Sequence, residues 1–174
     1  MSYCLFVANR PEDDVHKIYH DLHYGTPIND DNELFGRLIL EINQAGLSWD
    51  TILKKQTNFR DAFDVYNIES IAAYDETKIA ELLQNAGIIR NKLKINAVIY
   101  NAQQILKIQK EFGSFKNWLD THHPLLKTEW VALFRKQFKF VGGEIVNEFL
   151  MSTGYLPGAH DQNCFRYHEL NKKI

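Results

Sequence analysis

Only two cysteines occur in 174 residues, Cys4 and Cys164, close to opposite ends of the chain. That excludes a disulfide framework, and in a reducing compartment a single bridge between them is not expected. No run of about 18 apolar residues is present, so no segment is expected to span a bilayer as a helix. The start, Met1-Ser2-Tyr3-Cys4, lacks the basic region and apolar stretch of a secretory leader,. The expectation is a cytoplasmic protein with no membrane partner. Sustained apolar/polar alternation is missing, which leaves little room for β-structure. There are only 4 prolines and 9 glycines, and no Pro/Gly-rich linker, internal repeat or low-complexity tract divides the chain.

What remains is helical periodicity. Helices are expected near 12–22, 30–45, 49–64, 68–73, 75–85, 91–112, 114–121, 127–137 and 143–153, giving an all-α chain with an irregular tail from Gly154 onward. Several starts carry capping residues: Asn29-Asp30-Asp31, Ser48 before Trp49, and Ser114 before Phe115,. The length suits one well-buried domain or two small lobes sharing a core. The formal net charge of −2 hides an asymmetry. Residues 1–83 carry 7 Lys+Arg against 15 Asp+Glu, whereas residues 84–143 carry 10 against 3. A basic middle third in an acidic protein suggests a local face for a polyanion, the alternative being a set of solvated helix surfaces.

One acid stands out. In the segment from Glu33 to Ala45, residues Leu34, Leu38, Glu41 and Ala45 fall at i, i+4, i+7 and i+11 and share a face,. Burying an unpaired carboxylate costs on the order of several kcal/mol. Glu41 therefore either meets a basic or backbone partner inside the fold or borders a pocket that a ligand fills. Further on, Leu82 to Ile95 joins two helices through Gly87 and opens the second with Arg90, Lys92 and Lys94. Such a turn presents free amides and a positive helix end to a phosphate; it reads equally as an ordinary αα-turn with a glycine cap. Cys4 is followed by His16, His20 and His23, and His160 and Cys164 form an H-x3-C pair. Two thiolates and two imidazoles make a closed structural zinc site, unless these are unrelated buried cysteines and surface histidines.

Together these blocks resemble the bacterial 3-methyladenine DNA glycosylase I family. The matching residues are Tyr19-His20-Asp21 with Gly25 and Pro27, Glu41-x-x-Gln44-Ala45-Gly46-Leu47-Ser48-Trp49, Ala86-Gly87-Ile88-Ile89-Arg90 with Lys94-Ile95, Phe138-Lys139-Phe140-Val141-Gly142, and His160-x-x-x-Cys164. The resemblance implies a helix-hairpin-helix glycosylase fold with a zinc-stapled part at 1–30 plus 143–174, a core at 31–142 and the hairpin at 82–95. It implies hydrolysis of the N-glycosidic bond of 3-methyladenine in duplex DNA, as the first step of base excision repair, by a monomer that is nucleoid-associated when on DNA. Carried onto this chain, the zinc ligands would be Cys4, His20, His160 and Cys164. Glu41 and Tyr19 would fix the base between Phe6, Trp49 and Tyr24; Leu47 would wedge into the opened duplex; and Gly87, Arg90, Lys92 and Lys94 would meet the DNA backbone. Tyr24, His16 and Gly143 depart from the family pattern.

The chemistry fits those residue types. A base must leave the duplex to be reached, and a damaged base leaves at lower cost. Alkylation at N3 makes adenine cationic, which favours aromatic faces and carboxylates and weakens the glycosidic bond because the base departs neutral. No aspartate follows the hairpin one long helix on, only Glu111 near Lys107 and Lys110, and no lysine is placed as a Schiff-base nucleophile. A glycosylase without strand cleavage is expected. The competing readings are a non-catalytic zinc-stapled protein that binds DNA or senses lesions, and a hydrolase with a catalytic metal.

Overall fold

Side chains from the capping positions open most of the helices, and they do so where the sequence places Ser, Asp and Asn. In the computed structural model, which describes residues 1–172, the helices are α1 (Tyr3–Val7), α2 (Val15–Leu22), α3 (Asp31–Gln44), α4 (Trp49–Ala62), α5 (Ile68–Ala72), α6 (Glu76–Gln84), α7 (Lys92–Phe112), α8 (Phe115–His122), α9 (Lys127–Gln137), α10 (Gly143–Ser152) and α11 (Phe165–Asn171). No strand occurs among the described residues. Asp14, Asp30, Ser48, Asn67, Asp75, Asn91 and Ser114 each accept a backbone amide of the helix they precede,.

Nine of these helices coincide with expected ones, with shifted ends. The helix expected from residue 12 starts at Val15, because Asp14 caps it. The one expected to reach residue 64 stops at Ala62. There Asp64, Val65 and Tyr66 take left-handed backbone angles, with φ of 50°, 57° and 59°. The tail is not irregular throughout, since α11 forms after Cys164. Helix α1 was not expected either. Both extra helices are short, and short helices depend on tertiary anchoring more than on propensity.

Helix α3 runs through the centre. Its Leu34, Phe35, Leu38, Ile39 and Ile42 are wholly buried with Val98, Ala102 and Ile105 of α7 and with the aromatic cluster Phe115, Trp118, Phe134 and Phe149. Each such side chain contributes about 1.5–3 kcal/mol of transfer free energy. Val146, Phe149 and Leu150 of α10 belong to the same core. Two polar ties align the surrounding helices. Asp31 accepts the amides of Phe115 and Lys116 at 2.8 and 3.0 Å and so caps α8 from α3. Asn101, fully buried, exchanges two hydrogen bonds with the backbone of Lys139, pinning the 138–142 segment to α7. A smaller aromatic cluster around Tyr19, Tyr24 and Leu53, with Tyr3, Val15, Trp49 and Ala159 against it, joins the N-terminal helices to the tail.

Gly36 shows how tightly α3 is seated. A Cβ there would lie 2.2 Å from the Tyr66 ring, which the left-handed turn holds against the helix. Gly36→Ala is expected to cost about 1–3 kcal/mol through overpacking, despite alanine's better helix propensity. In a thermal melt the midpoint should fall by several degrees; an unchanged or higher midpoint would contradict this packing.

Candidate functional site

The loop between α3 and α4 sets up one wall of a cavity. Gly46 takes φ of +81°, Leu47 and Gln44 exchange backbone and side-chain hydrogen bonds of 2.7 and 2.9 Å, and Ser48 caps α4 so that Trp49 stands at its first position. Trp49 meets the Tyr19 ring edge-on at a centroid distance of 5.3 Å. Tyr24 lies 5.7 Å from Tyr19, and Tyr3 lies 5.4 Å from Tyr24. These aromatics enclose a cavity of about 430 Å³, a size suited to a small ligand. Glu41 and Gln44 of α3 and Glu144 and Glu148 of α10 complete its lining.

Glu41 is 4% exposed, and no hydrogen bond or ion pair engages its carboxylate among the described residues. Burial pushes its carboxyl up to about 8; Arg37, one turn earlier, opposes the rise and Glu148 adds to it,. Arg37 is occupied elsewhere: it donates to the Tyr19 hydroxyl at 3.1 Å and to the Ser152 carbonyl at 3.4 Å. The Tyr19 phenol is pushed well above its ordinary value by burial. The cavity thus combines aromatic faces with acids and has no cation among its lining residues.

Several expected site residues stand apart from this arrangement. Phe6 does not line the cavity: its ring stacks on Tyr3 at 6.0 Å and meets His16 at 5.2 Å, and the Arg10 guanidinium lies 4.1 Å from its centre. Tyr3, one turn earlier on α1, takes the position facing the cavity. Lys94, expected on a DNA-facing surface, is buried, and its ammonium donates to the carbonyls of Asn43 and Ala45 at 2.8 and 2.7 Å. It caps the C-terminus of α3, where a cation meets the negative helix end, and burial lowers its pKa. The Gly87 amide is also taken, by the Asn85 side chain at 2.8 Å. Arg90, Lys92 and Leu47 are exposed. Sequence reasoning missed Tyr3, Gln44, Glu144 and Glu148; the last two were legible as acids at i and i+4 on a mostly apolar helix. Phe140, in the matching Phe138–Gly142 block, is 39% exposed, has φ of +58° and lies 5.9 Å from the Lys94 ammonium.

At the other side of the N-terminal helices, Cys4, His20, His160 and Cys164 converge, with one ligand atom from each lying within 4.8 Å of the others. The His20 Nε2 to His160 Nδ1 distance is 3.2 Å, and the sulfur–nitrogen distances run from 3.3 to 3.8 Å. Metal–ligand bonds of about 2.0–2.1 Å to nitrogen and about 2.3 Å to sulfur on a tetrahedron give edges of about 3.3–3.8 Å, so the donor set fits a closed four-coordinate ion. The outer contacts are those a metal site needs. Asp21 accepts from His20 Nδ1 at 2.6 Å, the Tyr24 carbonyl from His160 Nε2 at 2.8 Å, and the Asp161 amide donates to Cys4 Sγ at 3.3 Å. Both cysteines are free thiols, and the group could hold a metal ion.

Residues 9–130 match the family model described as methyladenine glycosylase. The chain is 34% identical over 186 residues to DNA-3-methyladenine glycosylase 1 of Escherichia coli (strain K12), covering 96% of this chain and 97% of that protein. Among solved structures it resembles a Tyr-to-Phe variant of 3-methyladenine DNA glycosylase I in complex with 3-methyladenine, with a TM-score of 0.84 and 30% identity over 95% of this chain and 97% of the other. It also resembles the enzyme from Staphylococcus aureus, described in terms of 3-methyladenine recognition, with a TM-score of 0.81 and 30% identity over 89% of this chain and 92% of that one.

Proposed function

This chain belongs to the methyladenine glycosylase family, and from that we propose that it hydrolyses the N-glycosidic bond of 3-methyladenine in alkylated duplex DNA. The observation that carries the reading is Glu41: a buried carboxylate with no protein partner, bordering an aromatic cavity. Such a group is stabilised when a cation with a hydrogen-bond donor enters. A 3-alkylated adenine in a nucleotide is that ligand, because its ring is positively charged and its exocyclic amino group donates.

In this reading the base swings out of the duplex and packs against Trp49, Tyr19 and Tyr3, and Glu41 accepts from the amino edge. Neutral adenine gains less from both, so the pocket selects by differential binding. The bond between the base nitrogen and the sugar C1′ breaks with its electron pair going to the base, which leaves neutral. Water adds to the sugar cation and gives up a proton. Glu41 and Tyr19 hold the base in place and carry no proton to it. Leu47 fills the gap left in the duplex. The exposed Arg90 and Lys92 beside the start of α7 meet phosphates, and the α6–turn–α7 unit serves as the helix-hairpin-helix. Cys4, His20, His160 and Cys164 hold zinc, which fastens α1 and the tail to α2 and, with four protein ligands, has no place for a reacting water. The protein acts as a monomer.

The test is release of free 3-methyladenine from methylated duplex DNA, followed chromatographically at high protein concentration. Release well above the spontaneous rate is expected. None above background would leave a lesion-binding protein without catalysis.

A further inference from the structure

Three carboxylates reach the cavity, and they are not equivalent. Glu144 is largely exposed and pairs with Lys127 at 3.1 Å, so its charge is already met. Glu41 forms the buried end described above. Glu148, one turn beyond Glu144 on α10, is half-buried and forms no direct ion pair among the described residues, although the charge of Lys127, which pairs with Glu144, reaches it. Its two oxygens receive only long hydrogen bonds, 3.4 Å from the Tyr24 hydroxyl and 3.5 Å from the Asn147 amide. Burial and the neighbouring Glu144 push its carboxyl upward, and its own charge helps to raise that of Glu41.

Two partly desolvated acids facing one cavity repel each other, and a fold keeps such a pair at a cost unless something compensates. Of the cations whose charge reaches the two acids, Arg37 beside Glu41 spends its donors on Tyr19 and Ser152, and Lys127 near Glu148 is already paired with Glu144. A proton on Glu41 relieves the repulsion, and once both acids are ionised the compensating positive charge comes with the ligand. Resting on the reading of this cavity as a pocket for a cationic base, we propose that Glu148 is a second recognition carboxylate, a specificity-determining residue that acts with Glu41 to favour cationic bases over neutral ones of the same shape. Glu41 reads the donor edge of the base. Glu148, on the opposite helix and beside Tyr24, supplies negative potential without needing to touch a particular ring atom. Its effect therefore falls on the charge of the ligand and not on its hydrogen-bonding pattern.

The experiment compares two small probes by calorimetry on the full, metal-loaded chain: 3,9-dimethyladeninium, a fixed cation with the methyl group of the lesion, and 9-methyladenine, its neutral counterpart. The wild type should prefer the cation. Glu148→Gln should weaken the cation by about tenfold or somewhat less, and change the neutral probe by less than about twofold. Glu148→Asp should restore part of the preference, and Glu148→Ser serves if the glutamine variant does not fold. A wild type that prefers the cation while Glu148→Gln leaves that preference intact, or weakens both probes alike, overturns the role of Glu148 alone. A wild type that binds neither probe and releases no 3-methyladenine overturns the pocket reading and this inference with it.

Discussion

Replacing Glu41 with glutamine is expected to make the protein slower and, at alkaline pH, more stable. Loss of a charge-assisted hydrogen bond to the base should lower excision by about 10–100-fold, the equivalent of about 1.5–3 kcal/mol. The stability effect follows from the raised pKa. The folded chain keeps a proton on Glu41 up to about 8, whereas an unfolded carboxyl loses it near 4.5. The wild type is therefore at its full stability with respect to this group below about 4.5 and loses it progressively as pH rises to about 8. Glutamine does not titrate. The two proteins should melt together at pH 4.5, and at pH 9 the variant should melt at least about 5 °C higher, for a difference of a few kcal/mol. The same proton governs turnover. Binding a cationic base needs the ionised form, so kcat/KM should climb with pH and level off above about 8. Burial sets where that midpoint falls, with Arg37 opposing the rise and Glu148 adding to it. Melting curves at three pH values and single-turnover release of 3-methyladenine check both halves. If the variant gains no stability on going from pH 4.5 to pH 9, Glu41 is not a buried acid awaiting a cation.

The second large effect is expected on metal removal. Chelation, or Cys164→Ser, should lower the unfolding midpoint by more than about 10 °C, because a structural zinc site contributes many kcal/mol when assembled. Excision should fall with it although no step passes through the ion. Tyr3 sits beside Cys4 on α1, Tyr19 precedes His20, and the Tyr24 carbonyl holds His160, so three walls of the aromatic cavity are positioned by the cluster. Metal content by mass spectrometry should return one ion per chain. A fully active, equally stable metal-free protein would remove the site from the account.

Much of this is legible in the sequence alone. The capping residues and apolar spacing foretold nine helices, and the spacing of Glu41 with Leu34 and Leu38 foretold an acid turned inward. Lys94 was misread because its neighbours Arg90 and Lys92 are exposed. Only the fold reveals that the α3 terminus arrives within 2.7–2.8 Å of its ammonium. Phe6 was misread for a similar reason: α1 turns Tyr3, not Phe6, toward the cavity, and a five-residue helix has no periodicity from which to see that. Glu148 was missed because its importance lies in a partner it lacks. A sequence shows which residues carry charge but not where compensation fails.

The Cys4–Cys164 convergence would also change the chain's unfolded state wherever a metal remained bound there. With a metal on all four side chains the backbone becomes a ring of about 160 residues, and in the chain-entropy picture closing a loop of that size removes about 5 kcal/mol of disorder from the unfolded ensemble. An ion that stayed bound to all four would thus act on molecules that are not folded, by leaving them fewer ways to be so.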